Sequence, residues 1–351
     1  MVEKKKEPAR NALHGNAGGK NKTQTSELRQ DLVTGDWVVI ALGRGKRPGE
    51  FAVKRQPYPA LSDKCPFCFP EETGQEDDVL IYRQKDGDWS LRVFPNKFPA
   101  FSRHRLPKHV EEGPYFMMDG VGHHEVIVTR DHMRQIAQLD PLEVAEVIDA
   151  YQDRFISLMN KRNVNYVEIF HNHGREAGAS IEHPHSQLMA IPVVSPGIKV
   201  ELDGAEEYWQ ANRKCVFCTM VEWELQHKKR LIFENDNFLA FCPFSSRVAF
   251  EVWVMPKKHK PYFERINNEE KIDLAEALQK SIRAIFQELT DPPYNFYIHT
   301  SPCDGKDYPH YHWHIEILPH TATWAGFELS TGIEISTIEP ERAAEALRLN
   351  I

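Results

Sequence analysis

The chain has 351 residues, 41 % of them hydrophobic and 27 % charged, which fits a soluble globular protein of one large or two ordinary domains. A formal net charge of −8 speaks against a nucleic-acid partner, which would ask for a basic surface. No apolar run is long enough to span a membrane.

Met1 to Ser26 is rich in Lys, Asn, Gly and Ala and lacks the apolar stretch of a secretory signal, so it reads as a disordered tail. A reducing, cytoplasmic setting follows. Four of the six cysteines fall into two Cys-x-x-Cys pairs, which in that setting point to metal or redox chemistry before disulfides.

The first half spans 27–200. After Cys65 and Cys68, the apolar run Glu125 to Val128 suits a buried strand. Asp140-Pro141, a capping residue followed by proline, opens a helix running to about Lys161. Asn165 to Phe170 reads as a strand. A loop between Gly174 and Gly178 then leads to a last strand, His183 to Ile191, closed by Pro192. Pro196 to Asp203 reads as a linker.

The second half, 201–351, repeats this order. Cys215 and Cys218 precede a strand at Val252 to Met255, a helix from about Asn268 to Leu289, and strands at Tyr294 to Thr300 and His310 to Leu318. His132 and His259 stand 127 positions apart, as do His183 and His310, and Pro192 and Pro319. That common offset predicts an internal duplication with an α+β fold.

Zinc prefers four Cys and His ligands in a tetrahedron. Each half offers such a set: Cys65, Cys68, His132 and His183, then Cys215, Cys218, His259 and His310. Two closed sites imply two structural zinc ions per chain. A redox dithiol would leave the matched histidines unexplained.

Alternation along a strand puts His183, His185 and Gln187 on one face. With His183 on zinc, His185 is free as a neutral nucleophile toward phosphorus, and Gln187 can donate to a phosphoryl oxygen. The loop ending Gly178-Ala179-Ser180 offers backbone N–H groups to phosphate. His310, His312 and His314 form a rival row in the second half. Either His312 is a second nucleophile or that half has lost the role and helps bind substrate; we favour the latter.

These residues resemble the galactose-1-phosphate uridylyltransferase branch of the histidine-triad superfamily, over about Asp31 to Leu347. His183-Pro184-His185-Ser186-Gln187 is similar to its His-Pro-His-x-Gln motif, and Asn172-His173-Gly174 and Gly178-Ala179-Ser180 to its phosphate loop. Gly43 to Pro48 resembles its basic segment, implying that Arg44 and Arg47 approach phosphate. Asn96, Lys97 and Phe98 resemble its nucleoside pocket, and Gly326, Phe327 and Glu328 its hexose contacts. The resemblance implies two histidine-triad-like halves, each an antiparallel sheet with a long helix, in a homodimer. It also implies ping-pong transfer of a nucleotide from a nucleotide sugar, through His185, to phosphate or a sugar 1-phosphate.

Ala322, Glu334 and Lys97 depart from the family pattern and weaken selection for uracil and galactose. Together with the complete second Cys/His set, they draw the resemblance toward the plant-type branch acting on ADP-glucose. Uridylyl transfer is the alternative. A histidine-triad hydrolase using His312, or a zinc-stabilised binding module, would be a different class. Gln187 speaks against both.

Overall fold

A computed structural model describes residues 25–42, 51, 64–103 and 107–351. The tail up to residue 24 and the basic segment with Arg44 and Arg47 lie outside the described residues. No helix is long and apolar enough to cross a membrane among those described.

In chain order, β1 (Glu27–Gln30) and β2 (Trp37–Ile40) precede a one-turn helix, α1 (Pro70–Thr73). There follow β3 (Leu80–Arg83), β4 (Trp89–Pro95), the β5–β6 hairpin (His109–Glu112, Tyr115–Met118) and β7 (His123–Thr129). The long helix α2 (Pro141–Met159) leads to β8 (Tyr166–His173) and β9 (His185–Ile191). Two helices, α3 (Pro196–Asn212) and α4 (Val216–His227), separate these from β10 (Leu231–Glu234), β11 (Phe238–Phe241) and β12 (Val252–Pro256). The second long helix, α5 (Asn268–Leu289), is followed by β13 (Tyr294–His299), β14 (His314–Pro319), α6 (Gly326–Thr331), β15 (Glu334–Ser336) and α7 (Pro340–Arg348).

The fold is α+β with sheets that are antiparallel apart from the parallel pairing of β2 with β15. Ten strands form one sheet in the order β10-β11-β12-β14-β13-β8-β9-β7-β4-β3. The two halves therefore share a single sheet, joined by β8 and β13, where a separate sheet for each had been expected. Both long helices cover one face, where Leu188, Ala190, Ile315 and Ile317 meet Val144, Ile148, Leu278 and Ile282 in the main core. Alternation then turns His185 and Gln187 to the opposite face.

The helix starts follow their sequence signals. The Asp140 N–H donates to Glu143 Oε2 at 2.8 Å, and Asn267 and Glu270 bond reciprocally at 3.0 Å. The expected linker at Pro196 to Asp203 is instead the start of α3. Ser195 Oγ accepts from Ile198 N, and Pro196 stands at the first helical position. Ile198, Leu202 and Ala205 fall on one face and bury into a second core cluster.

Cross-strand register corrects the repeat. Val126 lies opposite Gln187, and Trp253 lies opposite Glu316. Phe170 pairs with Gln187, and Tyr297 with Glu316. The offset of 127 thus holds for β7 and β8 against β12 and β13, but becomes 129 for β9 against β14. Two additional residues sit in the loop before β14, and β14 starts at His314 where the sequence pattern put it at His310.

Candidate active site

Cys65, Cys68, His132 and His183 converge, with their ligand atoms within 4.8 Å of one another. Cys68 Sγ lies 3.2 Å from His132 Nδ1 and 3.3 Å from His183 Nδ1, and Cys65 Sγ 3.6 Å from His183 Nδ1. An S–N edge of a tetrahedron built on ordinary Zn–S and Zn–N bonds is about 3.6 Å. The His183 Nε2–H donates to Thr129 O at 2.7 Å, which leaves the Nδ1 lone pair facing the sulfurs. Burial and the neighbouring Cys65 thiol push the Cys68 thiol up to about 11, a cost that a divalent cation in this group removes.

The same segment packs against His185. Phe67, between the two cysteines, packs edge-on to the His185 ring with centroids 4.9 Å apart. The His185 Nδ1–H donates to His183 O at 2.9 Å. That bond fixes the tautomer and leaves the Nε2 lone pair free. Burial holds the His185 pKa below the usual histidine range, so the ring is neutral near pH 7. Behind the strand, Ser186 Oγ lies 2.5 Å from Tyr151 Oη and 2.9 Å from His171 Nδ1, fixing the residue between His185 and Gln187 to α2 and β8.

Gln187 is oriented by a residue that the sequence reading missed. His124 Nδ1 lies 3.4 Å from Ala100 N, and its Nε2 lies 2.8 Å from Gln187 Oε1 and 3.1 Å from Asn96 Nδ2. With its Oε1 on His124, Gln187 turns its amide nitrogen away from that ring. Asn96 lies beside His124, its Oδ1 accepting from Phe98 N at 2.9 Å, and Phe98 is 83 % exposed at the mouth. Lys97 reaches Thr73 O at 2.8 Å. The Asn96–Phe98 segment is thus brought beside Gln187 through His124.

His171 pairs with Ser186, so Asn172 falls next to His185 on the open face. The phosphate loop differs in detail from expectation. Gly174 and Gly178 take φ of 87° and 90°, a conformation that suits glycine, and a Cβ at Gly174 would stand 2.9 Å from Pro293. The turn they allow consumes the N–H groups of Ala177, Gly178 and Ala179 in bonds to Gly174 O and Arg175 O. Gly178 and Ala179 thus shape the loop, and Ser180 stands at its exposed end.

Comparison with known proteins agrees with this geometry. The family model "Galactose-1-phosphate uridyl transferase, N-terminal domain" matches residues 18–195, and "Domain of unknown function (DUF4921)" matches 108–350. ADP-glucose phosphorylase of Arabidopsis thaliana is 35 % identical over 341 residues, 95 % of each chain. The chain belongs to the galactose-1-phosphate uridylyltransferase family. As a member of it, the protein is a nucleotidyltransferase. The uridylyltransferase of Thermotoga maritima is 30 % identical, covering 92 % of this chain and 98 % of its own. A crystal structure of the Arabidopsis phosphorylase with bound ADP-glucose matches with a TM-score of 0.78 at 32 % identity, covering 92 % of this chain and 99 % of that one.

Within this family member the second half is built differently. Cys215, Cys218 and His259 gather with His312, and not with His310 as the uniform offset predicted. His312 stands 129 positions after His183, the same separation as Glu316 from Gln187 in the strand registers. His312 is fully buried, its Nδ1 3.6 Å from Cys218 Sγ, so it is not a substrate contact or a second nucleophile. The His259 Nε2–H donates to Pro309 O at 2.8 Å, repeating the His183 arrangement. His310 packs near Tyr308, with ring centroids 6.0 Å apart.

By register, His314, Glu316 and His299 stand where the first half has His185, Gln187 and Asn172. His314 is fully buried between Phe217 and Trp253. Glu201, His299, His314 and Glu316 bring their ligand atoms within 4.8 Å of one another, a third group with metal-ligand chemistry. Burial works against a charged His299, yet Glu201 and Glu316 raise it to about 9. Carboxylates line this face, which is unsuited to a nucleotide phosphate. Gly326, Phe327 and Glu328 lie on exposed α6. There Glu328 accepts from Ala325 N at 3.0 Å, and no hydrogen bond among the described residues ties α6 to the His185 pocket.

Proposed function

We propose that the protein transfers AMP from ADP-glucose to inorganic phosphate through His185. Its Nε2 attacks the α-phosphorus, the bond to the departing phosphate breaks, and glucose 1-phosphate leaves with its electron pair. A phosphate oxygen then attacks the adenylyl-histidine, forming ADP and restoring the neutral ring. The His183 carbonyl accepts the hydrogen bond from Nδ1–H throughout and stabilises the positive charge of the substituted imidazole. Gln187 and Asn172 donate to non-bridging oxygens. Ser180 meets the phosphates at the loop end, and Arg44 and Arg47 approach them from the basic segment. Asn96, Lys97 and Phe98 border the nucleoside.

The observation that carries the choice of donor is 35 % identity to ADP-glucose phosphorylase over 95 % of the chain. We further propose that each Cys/His group holds one structural zinc and that the halves, 27–200 and 201–351, are duplicated histidine-triad-like units. Phe67 against His185 and Phe217 against His314, at 4.9 and 5.1 Å, support that pairing. A homodimer would cover exposed Trp324, Phe327 and Leu329 around α6 and bring its Gly326–Glu328 segment to a partner's hexose.

The test mixes the protein separately with ADP-glucose and UDP-glucose and weighs the intact chain. An adenylyl adduct, lost in His185→Asn and discharged by phosphate, is expected. An adduct from UDP-glucose alone would establish the uridylyl reading. Release of AMP with no adduct would favour a hydrolase.

A further inference from the structure

We infer that Asn295 and His320, both from the second half, are positioning residues that aim Asn172 at the transferred phosphate. The inference rests on the proposed reading that Asn172 donates to that phosphate.

Three side chains form a directed chain across the open face. The His320 Nε2–H donates to Asn295 Oδ1 at 2.6 Å. This identifies the oxygen of Asn295, so its amide nitrogen points the other way. Asn295 Nδ2 donates to Asn172 Oδ1 at 2.8 Å and to Ala177 O at 2.9 Å. The first bond identifies the oxygen of Asn172 in turn, and the second clamps the Gly174–Gly178 turn. Asn172 Nδ2 is left without a protein acceptor among the described residues, and it lies 3.7 Å from the point where a Cβ of Gly178 would stand.

Strand register places this row at the reacting centre. Asn295 is paired with Asn172 across β13 and β8, and Asn172 falls beside His185 on β9. An asparagine amide has two orientations of similar shape and opposite polarity. Turned one way, Asn172 donates to a phosphate oxygen. Turned the other, it presents a carbonyl oxygen and repels the anion. The choice is made by a hydrogen bond from the other half of the chain and locked by His320.

Asn295→Asp tests this. The carboxylate still accepts from His320 but cannot donate to Asn172, so it rotates that amide and turns its oxygen toward the substrate. The rate of adenylyl-histidine formation should fall about 10- to 100-fold, the weight of one donor to a charged group. The melting temperature should fall modestly, because the bond to Ala177 O is lost as well. In an Asn172→Ala background, Asn295→Asp should add less than about twofold, because a residue acting through Asn172 has nothing left to aim. His320→Gln, which keeps a donor, should retain most of the rate, and His320→Leu should resemble Asn295→Asp.

A wild-type rate for Asn295→Asp, or equal losses with and without Asn172, overturns the inference. Full activity of Asn172→Ala alone overturns the underlying reading. A slow Asn172→Ala beside an unaffected Asn295→Asp overturns only the positioning role.

Discussion

The choice between His310 and His312 as fourth ligand of the second metal group gives a sharp quantitative test. His312→Ala removes a fully buried ring whose Nδ1 faces Cys218 at 3.6 Å. Losing even an outer-sphere partner of a metal site costs roughly 10- to 100-fold in affinity, so losing a direct ligand costs more. Deleting a buried ring of this size adds about 3–5 kcal/mol through lost packing and the cavity left behind. With an unfolding entropy of about 2.1 cal/mol/K per residue, each kcal/mol is worth about 1.4 °C in a 351-residue chain, so the melting temperature should drop by roughly 4–7 °C. Elemental analysis of the folded protein should fall from two zinc ions per chain to one. His310→Ala touches no atom of the group and should keep both ions. If His310→Ala loses the ion and His312→Ala retains it, the register argument is wrong and the uniform offset of 127 was right.

Gln187→Glu keeps the acceptor for His124 but replaces the free donor with a negative charge. Adduct formation should slow by about 10²–10³-fold with little change in stability, measured by intact mass against time. Ser186→Ala leaves Tyr151 Oη and His171 Nδ1 buried and without their shared partner. It should cost roughly 1–3 kcal/mol per group, read as a lower denaturation midpoint, and an unchanged midpoint would show that the interior rearranges freely. Gly174→Ala combines a φ of 87° with a Cβ 2.9 Å from Pro293, so it should destabilise by at least about 1–3 kcal/mol and weaken phosphate binding as the loop shifts.

Much of the site is legible in the sequence because its parts are local. Cys-x-x-Cys pairs, capped helices and an alternating His-Pro-His-x-Gln strand each carry their meaning within a few residues. What was missed depends on register between strands. His124 orients Gln187 from 63 positions away in sequence, and only antiparallel pairing of β7 with β9 reveals it. The signal available was a polar residue in alternate register with the apolar run that follows it. The two-residue insertion escaped notice because Pro192 and Pro319 happen to share the offset of the first strands. The row of three histidines, 310, 312 and 314, accommodated either frame. α3 starts inside the expected linker, where Pro196 occupies the first helical position and Ser195 caps it.

The seam between β8 and β13 makes the molecule indivisible despite its two-part plan. Cutting the chain near residue 200 would strip five paired positions, Ile169 to His173 against Tyr294 to Ile298, from both pieces. Each fragment would then present a bare central strand with unsatisfied backbone groups, an invitation to self-association. The main core also runs across the cut, with α2 packed on α5, so neither piece would retain a complete interior. The shared sheet and core therefore fold as one unit, and unfolding should be cooperative across both halves.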